Sequence, residues 1–132
     1  VSEDLNLVQI ERKLRQLVND LAHAQRTLAD ARDVEVDAKH VFEAKYRRLL
    51  LSPDCPRVGR GVDAVTTAVR DAWVAIRCEE EEHAFNLATV KREAAADHVW
   101  VLKDQAVLVT ALAKSVQISM GLAGRAEPQW SG

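Results

Sequence analysis

Apolar residues recur three and four apart along the first third of the chain: Leu7, Ile10, Leu14, Leu17, Leu21, Ala24, Leu28 and Ala31, then Ala38, Phe42 and Leu49. Only Glu35 and Lys45 interrupt the series. Residues at these spacings stack on one face of a helix, so the pattern predicts a coiled-coil seam. The first helix is expected over about residues 4–51, starting where Ser2, Glu3 and Asp4 offer a cap and early acidic charge to the positive end of the helix. Ser52-Pro53-Asp54-Cys55-Pro56 ends it, because proline brings no amide hydrogen and clashes with the preceding turn. Gly59 and Gly61 extend the break, giving a turn over 52–61.

From Val62 to Met120 there is neither proline nor glycine, which predicts a second helix over about 62–120. Its apolar stripe is read through Val65, Val69, Trp73, Ile76, Leu87, Val90, Ala94, Val101, Leu108, Leu112 and Val116, less regular than the first. Gly121, Gly124 and Pro128 stop it, and residues 122–132 read as a flexible tail, with Trp130 either an unconstrained tail residue, the commoner case, or an anchor to a partner.

A short break between amphipathic helices predicts an antiparallel hairpin. Folding about the centre of the turn pairs positions whose numbers add to about 113, which sets Leu49 near Ala64 and Leu7 near Ala106. Residues from about 110 to 120 then overhang the start of the first helix with no cover from the same chain. The expected architecture is all-α: a long, coiled-coil-like hairpin that assembles into a helical-bundle oligomer. Leu108, Leu112, Val116 and Met120, with Leu14 and Leu21, are the candidate interface to a second copy or a partner.

Composition narrows the function classes. Of the 132 residues, 48% are apolar but only 5% aromatic, which suits narrow helix–helix seams better than a thick globular core. The net charge of −2 argues against general polyanion binding. No run of 18 or more apolar residues indicates a membrane span. The N-terminus reads as acidic and then amphipathic, without a signal-peptide pattern. Cys55 and Cys78 lack metal-binding spacing and read as reduced thiols, so the expected setting is cytoplasmic.

Candidate chemistry is sparse. Glu80-x-x-His83 on the second helix, facing Glu35 on the first, is the ligand set that two hairpins would combine into a carboxylate-bridged di-metal bundle. The plainer alternative makes Glu79–Glu82 a solvated acidic face and pairs Glu35 with Arg77. Asp20-x-x-His23 and Asp37-x-x-His40 repeat the spacing on outer positions, so neither a metal nor a cofactor is expected. His98, among Ala94, Ala95, Val101 and Leu102, reads as a partly buried structural histidine. Charge is uneven: residues 45–70 carry about +4, and Arg47, Arg48, Arg57 and Arg60 form a basic hairpin tip able to grip phosphates. Tyr46 alone interleaves those charges, so base stacking has little support.

The first helix closes with Ala44-Lys45-Tyr46-Arg47-Arg48-Leu49, and the second opens with Gly61-Val62-Asp63-Ala64-Val65-Thr66-Thr67-Ala68-Val69-Arg70-Asp71-Ala72. With a glycine turn between them, these segments resemble small all-helical proteins encoded by actinobacteriophages. Where that family has a Gly-Lys-Thr type of turn, Gly59-Arg60-Gly61-Val62 stands here. The resemblance implies a phage-encoded protein acting in the host cytoplasm, and it brings no activity with it. The expected function is therefore non-enzymatic: a protein–protein interaction module that self-associates and docks on an unidentified host or phage protein. A nucleic-acid accessory role through the basic tip is the alternative.

Overall fold

The computed structural model describes residues 6–126, with side chains placed through Gly121. The expected cap at Ser2–Asp4, the tail and Trp130 lie outside the described residues. Among the described residues there are three helices rather than two: α1 (Leu7–Leu50), α2 (Thr67–Arg77) and α3 (Glu79–Ala126). The two long helices, of 44 and 48 residues, pack against each other.

α1 begins in a reciprocal capping box. The Gln9 amide donates to Asn6 Oδ1 at 2.9 Å, and the Asn6 amide donates back to Gln9 Oε1 at 3.2 Å. After Leu50 the chain turns through both prolines. Gly59 and Gly61 sit at φ +143° and +152°, backbone that side-chain-bearing residues rarely adopt. One isolated bridge, Val58 to Val65, steadies this loop, with the Val65 amide donating to the Arg57 carbonyl at 2.9 Å.

α2 is where the expected single second helix divides. Thr66 caps its start, its hydroxyl accepting from the Val69 amide at 3.3 Å. Cys78 ends it at φ −115°, ψ 22°, its amide donating to the Val74 carbonyl at 3.1 Å. The Cys78 carbonyl then accepts from the Glu82 amide at 2.9 Å, opening α3. Glu79, Glu80, Glu81 and Glu82 fill the first turn of α3, where carboxylates meet the positive end of the helix dipole. That acidic run is thus a helix-start signal, and only Glu79 and Glu80 of it form the expected solvated face, since Glu81 and Glu82 are half-buried.

The described residues cluster into two compact units. In the unit spanning Leu28–Ala95, α1 and α3 run antiparallel, as three pairs of facing side chains establish: Glu35 with Arg92, Phe42 with Phe85, and Lys45 with Glu81. Their residue numbers add to 126 or 127 rather than about 113. The connection carries α2 as well as the turn, so the register is displaced by roughly 14 residues from the one a bare turn predicts. Val74, Cys78 and Ala88 are buried here with Leu28.

The other unit joins the described residues up to Thr27 with those from Ala96 onward. Its buried side chains are Ile10, Leu17 and Ala24 on α1, and Val99 and Leu102 on α3. Half-buried Leu7, Leu14 and Leu21 complete the α1 stripe, and half-buried Ala106, Val109, Ala113 and Val116 extend that of α3. Residues 110–120 are therefore not a bare overhang, since Ala113 and Val116 continue the covered stripe.

Candidate interaction site

Within the Leu28–Ala95 unit, the two polar residues that interrupt the α1 seam each meet an opposite charge across it. Arg92 Nε donates to both Glu35 oxygens at 3.0 Å, with the two side chains 31% and 19% exposed. Burial pushes the Glu35 carboxyl up. Hydrogen bonds from Thr89 and Arg92, and the charges of Arg92 and Lys39, outweigh that and hold it below the ordinary 4.5. Lys45 Nζ donates to Glu81 Oε1 at 2.6 Å. That bond, a backbone hydrogen bond and the charges of Lys45 and Arg48 lower the Glu81 carboxyl despite partial burial. Glu81 Oε2 is buried without a partner among the described residues. A charge at a seam position is tolerated only where its partner stands, so these pairs specify the register.

This arrangement removes the geometry expected for a di-metal site. Glu35 is engaged by Arg92, about 18 Å along α3 from residue 80, and so faces neither Glu80 nor His83. The alternative partner, Arg77, instead lies 3.8 Å over the Trp73 ring. Glu80 and His83 are exposed in a shallow depression with Glu79, Glu82 and Asn86. Among the described residues, no group of three or more His, Cys, Asp or Glu side chains is placed to hold a metal ion. His98 is exposed rather than partly buried.

The four arginines of the basic tip, Arg47, Arg48, Arg57 and Arg60, are exposed. Arg47 and Arg48 occupy the last turn of α1, while Arg57 and Arg60 line a loop depression with Pro53, Cys55, Pro56 and Asp63. Cys55 is half-buried, whereas Cys78 is fully buried and its Sγ donates to the Val74 carbonyl at 3.1 Å. Burial, followed by the charges of Glu82 and Glu81, pushes the Cys78 thiol up, which makes it a poor nucleophile.

The largest departure from the sequence reading is the face that α3 turns outward. Ile76 of α2, with Leu87, Val90, Val101, Leu108 and Leu112 of α3, was expected in the hairpin seam; each is 45% exposed or more. The α3 seam is built instead from smaller residues, Ala88, Ala95, Ala106 and Ala113, alternating with Val99, Leu102, Val109 and Val116. Of the candidate interface residues, Leu108, Leu112 and Met120 are exposed, whereas Val116, Leu14 and Leu21 are half-buried. Trp100, Val107 and Ile118, none of them in the expected seam, add a further exposed apolar stripe; its signal was a spacing of seven and then eleven residues. From Gln105 to Met120, Lys114 is the only charged residue. A helix apolar on nearly every side is normally covered.

No family model matches the chain, and no curated protein or solved structure does either. Among the described residues, no helix is long and apolar enough to cross a membrane.

Proposed function

We propose that this protein is a non-enzymatic interaction module that associates with itself and docks on other proteins through the outward surface of α3. One observation carries the reading. In the unit that includes Ala96 onward, seven large apolar side chains of α3 are exposed, namely Trp100, Val101, Val107, Leu108, Leu112, Ile118 and Met120, while a separate stripe of the same helix is already covered. Leaving this much contiguous apolar surface in water is unfavourable, and covering it drives association. On the resemblance to actinobacteriophage proteins, the further partner is a host or phage protein.

Light scattering after size-exclusion chromatography tests the proposal on the wild-type chain and on a variant with both Trp100→Glu and Leu108→Asp. The wild type should run at a multiple of 14.7 kDa and the variant at a lower mass with its helix content retained. A monomeric wild type, or a variant of unchanged mass, would overturn the reading.

A second reading, a nucleic-acid accessory role, rests on the exposure of Arg47, Arg48, Arg57 and Arg60. It requires salt-sensitive retardation of DNA or RNA that is lost in the variant with both Arg57→Glu and Arg60→Glu. No retardation at low salt removes it.

A further inference from the structure

The exposed surface of α3 contains a second heptad stripe with a symmetry of its own. Trp100, Asp104, Val107, Ala111, Lys114 and Ile118 follow one another at spacings of four and three. All six are exposed, with Trp100, Val107 and Ile118 at 65%, 67% and 63%. All belong to the same compact unit and to one uninterrupted helix. Such spacing keeps the residues on one line of the helix surface, the requirement for packing against another helix.

The stripe reads alike in both directions about position 109. Trp100 mirrors Ile118, Val107 mirrors Ala111, and Asp104 mirrors Lys114. Large apolar residues therefore meet at the ends, smaller ones meet at the centre, and the two charges are opposite in sign. Among the described residues, neither Asp104 nor Lys114 takes part in an ion pair. The α1 seam has the same feature, with Glu35 and Lys45 ten residues apart, acid before base, each answered by an opposite charge on the facing helix.

We infer that two copies of this chain pair through this stripe of α3, antiparallel, about a twofold axis level with residue 109. Antiparallel pairing at this register sets Asp104 of each copy against Lys114 of the other, giving two ion pairs. Parallel in-register pairing sets Asp104 on Asp104 and Lys114 on Lys114. A one-heptad antiparallel slip toward the start of α3 pairs Lys114 with Asp97 but sets Asp104 against Val107, and the opposite slip sets Lys114 against Ala111 and Asp104 against Gly121. Of these, only the antiparallel register about residue 109 answers both Asp104 and Lys114 with an opposite charge and sets neither against an apolar side chain. The stripe runs about 27 Å along the helix and leaves Val101, Leu108 and Leu112 on a different line, free to receive another partner. The inference rests on the self-association proposed above and names its surface.

Charge reversal on the full chain tests it. Asp104→Lys alone and Lys114→Asp alone each create two like-charge pairs. Either should raise the dissociation constant of the dimer at least about tenfold and lower the light-scattering mass toward 14.7 kDa. The double exchange, with both substitutions, restores opposite charges and should restore the wild-type mass. Circular dichroism checks that helix content is unchanged in all three, as expected at exposed positions. Single variants that keep the wild-type mass, or a double exchange that stays dissociated, would overturn the assignment. Should Leu108→Asp with Leu112→Asp dissociate the wild-type assembly while the single reversals do not, self-association stands and this surface is wrong. A wild-type chain that is monomeric throughout removes both.

Discussion

Leu17→Ala and Leu108→Ala remove the same atoms from two leucines of the same compact unit, and the structure assigns them very different costs. Leu17 is 2% exposed on the covered stripe of α1, and Leu108 is 65% exposed on the outer side of α3. Losing three fully buried carbons costs about 2.4 kcal/mol in transfer free energy at about 0.8 kcal/mol each. The cavity left behind raises the cost for Leu17 to about 3–4 kcal/mol. At Leu108 only about a third of that surface is out of water, so the cost is at most about 0.8 kcal/mol, with no cavity term. Urea unfolding followed by the helix signal at high dilution, where association does not cover Leu108, measures both. With a urea dependence of about 2 kcal/mol per molar, Leu17→Ala should lower the midpoint by about 1.5–2 M and Leu108→Ala by less than about 0.5 M. Equal shifts, or a larger one at Leu108, would refute the assignment of faces.

Three further outcomes follow from the charged pairs and the thiols. Glu35→Arg or Arg92→Glu alone should lower the melting temperature, and the exchange of both should recover most of it; no recovery would show that the two residues do not face each other. The Glu35 and Glu81 carboxyls are held below their ordinary value of 4.5, so the stability they add is present above that pH and lost as pH falls through the folded-state values. The melting temperature should therefore fall on acidification below about pH 5, and less steeply in the variant with both Glu35→Gln and Glu81→Gln; parallel curves would contradict the linkage. A thiol reagent should modify Cys55 in the native protein and reach the fully buried Cys78 only on unfolding, so two fast thiols would contradict the packing around α2.

The α1 seam was legible in the sequence because its buried positions carry the larger apolar residues at strict heptad spacing. Even its two interruptions were informative, since Glu35 and Lys45 mark the cross-helix ion pairs. α3 was misread for the opposite reason. Its seam uses Ala88, Ala95, Ala106 and Ala113, small enough for close approach to α1, while Leu87, Val90, Leu108 and Leu112 face outward. Ranking positions by side-chain size therefore selects the wrong side of the helix. The break at Cys78 has no proline or glycine to announce it; Glu79–Glu82 as a first turn was its only signal. Counting the register across the break as if α2 were part of a straight helix displaced every facing pair, and the expected overhang and metal geometry went with it.

Absolute mass in solution, by light scattering across a range of protein concentration at low and high salt, tests self-association most directly. A stable multiple of 14.7 kDa is expected at both salt concentrations, because apolar burial carries the association and salt screens only its ion pairs. A chain that stays at 14.7 kDa at every concentration would contradict it.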